Sequence, residues 1–106
     1  MYFPKFYVIL SEDEIEAKIR EEGFEPKRFH NSPGDIYEPH QHSETALIAY
    51  LVGSMKVKVG DKNYICRKGD KLVIPGNTIH SAVVGKEGCT FFWDEKLMKL
   101  YEPGLK

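Results

Sequence analysis

Residues 38–44 read Glu-Pro-His-Gln-His-Ser-Glu and hold two of the chain's four histidines, one residue apart. Imidazole is both a proton carrier near neutral pH and the commonest metal ligand, so the stretch reads as a metal clamp, a base pair or a polar loop. Secondary structure decides among these. On a strand, residues i and i+2 share a face, which puts His40 and His42 about 7 Å apart at Cα with parallel rings that can tilt toward one ion. On a helix they diverge. A metal needs at least a third ligand. His80 is the natural candidate, because it follows the turn Pro75-Gly76-Asn77-Thr78 on a strand that antiparallel pairing can set beside the first. His30 reads as a partly exposed strand residue. Glu44 keeps the parity of His40 and His42 if the strand stays regular. Otherwise Ser43-Glu44-Thr45 leaves the strand and the carboxylate is solvated or caps a turn.

The elements that must position these residues are mostly strands. The N-terminal Met1–Leu10 stretch, Met-Tyr-Phe-Pro-Lys-Phe-Tyr-Val-Ile-Leu, reads as a first strand. One helix is well marked: Ser11 as N-cap with Glu14 three residues on forms a capping-box pattern, acidic residues fill the first turn, Ile15 and Ile19 share a face, and Gly23 ends it. Beyond Pro26 the pattern becomes strands and turns. Residues 45–53 form an apolar run ended by Gly53, expected to be buried on both sides. Residues 54–60 alternate, with Met55, Val57 and Val59 facing one way and Lys56 and Lys58 the other. Shorter strands follow at 64–67 and 71–75. Residues 78–84 and 89–94 read as two strands joined by a hairpin loop at Gly85-Lys86-Glu87-Gly88. Residues 94–102 read as a short C-terminal helix ahead of Pro103-Gly104. Seven or eight strands in so short a span predict an all-β sandwich or barrel.

With 106 residues, 42% hydrophobic and 29% charged, the chain makes one globular domain. Fifteen basic and 16 acidic residues leave a net charge of −1, which gives no basic excess for nucleic acid. No apolar run approaches the roughly 20 residues of a membrane span. The N-terminus lacks a charged leader region and a small-residue cleavage site, which predicts a cytoplasmic protein. Cys66 and Cys89 stand in apolar strand contexts and read as buried free thiols.

Two spaced motifs carry a family resemblance. Gly34 is followed after five residues by His40-Gln41-His42 and later by Gly53; Gly69 is followed after five residues by Pro75, with His80 five positions beyond it. Together they resemble the two motifs of the cupin superfamily, specifically its small single-domain members, over about residues 30–94. The resemblance implies a cupin-type double-stranded β-helix, or jelly-roll, barrel with the N-terminal helix before it and the short C-terminal helix after it. The organisation is then a single domain over 1–106: strand and helix in 1–29, barrel in 30–94, and tail in 95–106. It also implies a metal on three histidines and a carboxylate. The sequence departs from that pattern in three places. Ala46 stands where the glutamate ligand belongs, Pro75-Gly76-Asn77 replaces Pro-x-Gly, and Val84 replaces the closing asparagine.

Three secure ligands remain, His40, His42 and His80, with Glu44 as a candidate fourth. Neutral imidazoles leave a divalent ion its full charge and an open coordination shell. Such a centre attracts a small anionic molecule such as a carboxylate, enolate or thiolate. Iron, manganese, nickel, zinc and copper all accept imidazole. The readings are a metal-dependent enzyme of oxygenase or isomerase type, a non-catalytic small-molecule or metal-sensing module, and a scaffold with vestigial histidines. Edge protection in so short a barrel predicts a homodimer.

Overall fold

The computed structural model describes residues 1–99 and Tyr101. The elements run β1 (Tyr2–Phe3), α1 (Glu12–Glu21), β2 (Lys27–Asn31), β3 (Ile36–His40), β4 (Thr45–Val59), β5 (Lys62–Arg67), β6 (Lys71–Ile74) and β7 (His80–Lys96). Among the described residues α1 is the one helix, and none is long and apolar enough to cross a membrane. The capping box at Ser11 and Glu14 is present, and Gly23 follows the helix at φ +91°.

Two long strands build the barrel. The first half of β4 pairs with β6 and its second half with β5, while β7 pairs with β4 along its length. β7 in turn takes β3 on its first half and β2 on its second. Both long strands turn a corner in mid-course, where the β4–β7 register shifts around Gly53. Gly53 has φ +77°, and a Cβ built on it would stand 2.0 Å from the Gly88 carbonyl oxygen, so only glycine lets the two backbones approach there. Folded at this corner, each strand contributes to two facing half-sheets. That is the jelly-roll barrel expected from the sequence.

Several boundaries differ from the sequence expectation, each for a physical reason. Gly53 is a bulge inside one continuous strand rather than its end. Gly85–Gly88 likewise lies within β7 and not in a hairpin loop. The N-terminal stretch pairs only at Tyr2 and Phe3, with β6. Residues 4–9 then turn, with Lys5 at φ +59° and its backbone N–H donating to Asp70 Oδ1 at 2.9 Å. Residues 94–96 extend β7 and residues 97–99 are not helical. The rest of the predicted C-terminal helix, Leu100 and Glu102, lies outside the described residues.

Alternation along β4 explains its double burial. Ala46, Ile48 and Tyr50 point into the barrel with Met55, Val57, Leu72, Ile74 and Phe91. Leu47, Ala49 and Leu51 point outward, where Tyr7, Ile15, Ile19, Phe24 and Phe92 cover them. Helix α1 therefore packs on the outside of one half-sheet and leaves the barrel interior to the site.

Candidate metal centre

β3 ends at His40, which stands directly opposite His80 on β7. His42 lies two residues past the end of β3, so the shared-face argument does not place it. The loop after β6 does. The Asn77 backbone N–H donates to the His42 carbonyl at 2.6 Å, and the Gly76 N–H donates to Thr45 Oγ1 at 3.2 Å. Asn77 takes the left-handed conformation at φ +61°, while Gly76 is required for closeness, since a Cβ there would meet the Ser43 carbonyl oxygen at 2.1 Å. The Pro-Gly-Asn variant of the second motif thus locks the two histidine-bearing loops together.

The three rings converge. Their centroids are 4.3 Å (His40–His80), 5.0 Å (His42–His80) and 5.7 Å (His40–His42) apart. One nitrogen from each lies within 4.8 Å of the others. Each Nδ1 faces a backbone carbonyl: His40 that of Glu38 at 2.7 Å, His42 that of Glu44 at 3.0 Å, and His80 that of Thr78 at 2.8 Å. A carbonyl can only accept, so Nδ1 carries the proton in all three, and in the neutral ring the lone pair then lies on Nε2. Metal-binding histidines are oriented in this way, by a hydrogen bond on the far nitrogen. The donor set therefore fits a divalent first-row ion. Burial lowers the His80 imidazole below its ordinary value, against the Thr78 carbonyl, and the neighbouring His40 and His42 push it the same way. A neutral ring is the form that binds metal.

Beside the histidines is a cavity of about 310 Å³. Its walls are chiefly apolar, with Phe29, Ile48, Tyr50, Met55, Phe91 and Trp93 among them. Tyr37 and Tyr50 also line it. His30 is not part of the cluster; its Nδ1 lies 2.9 Å from Thr90 Oγ1. Glu44 sits by the Nδ1 edge of His42, with Oε1 at 3.9 Å. A residue that the sequence did not suggest, Glu95, lines the cavity with its Oε2 3.5 Å from His42 Nε2. It stands far along the chain from both motifs, and only strand register reveals it.

The barrel region has relatives. A family model described as the AraC-like ligand binding domain matches residues 27–94. Among solved structures, KdgF from Halomonas sp. superposes with a TM-score of 0.62 at 20% identity, over 68% of this chain and 66% of that one. The cupin domain of Cnp3 from Schizosaccharomyces pombe gives 0.65 at 16%, over 71% and 56%. Oxalate decarboxylase from Bacillus subtilis gives 0.56 at 28%, over 62% of this chain and 19% of that one. The matched region thus spans no more than two thirds of each of these three chains. No curated protein matches the sequence.

Proposed function

Since the chain belongs to the AraC-like ligand binding family of cupin-type domains, we propose that it is a metal-binding module for a small anionic molecule. His40, His42 and His80 hold a divalent first-row ion (iron, manganese, nickel, zinc or copper) and the cavity takes the rest of the ligand. The observation that carries this reading is the common orientation of the three rings, each with Nδ1 tied to a carbonyl and Nε2 left to coordinate. Such an ion supplies Lewis acidity, polarising a carboxylate, enolate or thiolate that reaches it. The protein's own part is to fix ring orientation and, through the apolar walls, to exclude water and select a ligand with an apolar body behind its charged head.

Two observations bear on catalysis. The family description is of ligand binding, which supports a binding or sensing role. The likeness to a decarboxylase named for oxalate supports an enzyme working on a small carboxylate. The cavity wall favours the first: beyond the histidines, its ionisable groups are Glu95, two tyrosines and nothing basic of higher charge. Protein purified without a histidine tag and dialysed against each metal should retain about one ion per chain, and His42→Ala should lose it. Absence of metal after all five would contradict the reading. Oxygen uptake or product formation with small carboxylic and thiol acids would reassign the module as an enzyme.

Homodimer formation belongs to the same proposal. Ile65, Val83 and Ile36 are exposed, and they flank Lys56 in one row across the outer face of the second half-sheet. A single-chain mass by light scattering at every concentration would contradict it.

A further inference from the structure

The inward side chains of the first half-sheet form rows across its strands. At the histidine end, Ala46 on β4 stands directly opposite Glu95 on β7. The next row pairs Ile48 with Trp93. The third pairs Tyr50 with Phe91, and Phe91 with Phe29 on β2. Successive rows lie about 7 Å apart along the strands. One wall of the cavity is therefore aromatic from Trp93 inward. The Phe29 ring stands 5.8 Å from Trp93 and 6.0 Å from Phe91, and Phe91 stands 6.2 Å from Tyr50, centroid to centroid. The other half-sheet supplies Met55, Val57 and Ala82, which carry no ring.

These walls have few polar groups to offer. Tyr37 donates its hydroxyl to Asn31 Oδ1 at 2.6 Å, and Tyr50 donates its own to the Met55 sulfur at 3.8 Å, so neither has a proton left to give. Apart from the histidines and Glu95 at one end, the other polar side chains of the lining are Ser81 and the Trp93 indole. A sugar brings a hydroxyl on nearly every carbon, and each one buried without a partner weakens binding by roughly tenfold. An oxalate-sized dianion would leave most of the cavity's roughly 310 Å³ empty. An apolar cavity of about 150 Å³ holds one benzene, so this one has room for a ring with a short side arm or a fused pair of rings. A ring also gains from the wall itself. Edge and offset contacts between rings, and contact with the Met55 sulfur, add to what burial alone provides. An alicyclic body of equal size forgoes both.

We propose that the cavity selects an aromatic acid of one ring or a fused pair, its ring held by Phe29, Phe91 and Trp93 and its charged head turned to the histidine end. The charge of the head rests on the anion-binding reading above; the class of the body comes from the walls.

The test titrates untagged protein, zinc-loaded and metal-free, with 3-phenylpropanoate, 3-cyclohexylpropanoate, glucuronate and oxalate. Binding is read by calorimetry and by the emission of Trp93, the chain's one tryptophan. With zinc bound, phenylpropanoate should bind about three- to tenfold more tightly than its cyclohexyl counterpart and at least about a hundredfold more tightly than glucuronate. Phe91→Leu and Phe29→Leu should each bring the first ratio toward one, and Phe6→Leu, outside the cavity, should leave it unchanged. Phe29 is 43% exposed, so its variant spares the core if Phe91→Leu fails to fold. Equal affinity for the two propanoates, or tighter binding of glucuronate or oxalate, overturns the proposal and leaves the metal-binding module standing. The same ring preference in a protein that takes up no zinc supports the proposal and removes the metal from the reading beneath it. No binding of any acid in either form overturns both.

Discussion

What separates a histidine that packs from one that binds is the use of its second nitrogen. His40, His42 and His80 each commit Nδ1 to a carbonyl, whereas His30 meets the Thr90 hydroxyl, which can donate or accept and so fixes no tautomer. The clustering of the three histidines was expected from the sequence, but the strand parity offered for His42 is not what places it, and the carbonyl partners were not legible, because they depend on backbone geometry at the strand ends. Glu95 was illegible for a different reason: nothing near it in the chain marks it, and its relation to Ala46 exists only through register. The cysteines were legible and have a chemical consequence. Burial pushes the Cys66 thiol up to about 12 and the Cys89 thiol up to about 11. The thiolate is the reactive form, so raising these values depletes it at mildly alkaline pH. Iodoacetamide at about pH 8, near the ordinary cysteine value, should label both slowly in the native protein and quickly in guanidinium. Rapid native labelling would contradict the burial.

Among elements, the long strands were the harder reading. Gly53 and the Gly85–Gly88 stretch look like strand ends, because a bulge and a turn both call for glycine at positive φ. The distinction lies in what comes opposite, and here it is the partner strand's own backbone. Gly53→Ala should therefore destabilise the protein by several kcal/mol, on the order of 3 or more, through combined clash and backbone strain. Gly34 has φ +81° but open space around its Cβ direction. Gly34→Ala should cost only about 1–2 kcal/mol for the left-handed conformation. Urea midpoints of the two variants check the order; equal losses would remove the corner from the account. The α1 helix and the alternation of Met55, Val57 and Val59 were read correctly, since caps and period-2 patterning are local signals.

For the whole molecule, one half-sheet separates two cores, the barrel interior and the layer under α1. The outer layer is fastened by a charge. Lys71 on β6 is 1% exposed and donates to Glu22 Oε2 at 2.7 Å. The rings of Phe3, Phe6 and Tyr101 stand 4.4–5.2 Å from its ammonium. Tyr101 also donates to the other Glu22 oxygen. Lys71→Met strands that carboxylate and should cost about 3–5 kcal/mol. Lys71→Met with Glu22→Gln should recover part of the loss in the same denaturation experiment. A single variant as stable as wild type would mean that packing alone holds the helix layer. The sequence predicted both the helix and the two-sided burial of residues 45–53, but not that the helix covers the outer face of that strand, because the contact joins segments whose pairing exists only in the folded chain.

The central claim is that three oriented histidines bind a metal through Nε2. Nitrogen NMR of uniformly labelled protein, with and without one equivalent of zinc, tests it most directly. The account predicts that His40, His42 and His80 are Nδ1–H tautomers before zinc and that their Nε2 resonances alone shift to metal-bound values after it, with His30 unchanged. Unshifted Nε2 resonances in those three rings at saturating zinc would contradict it.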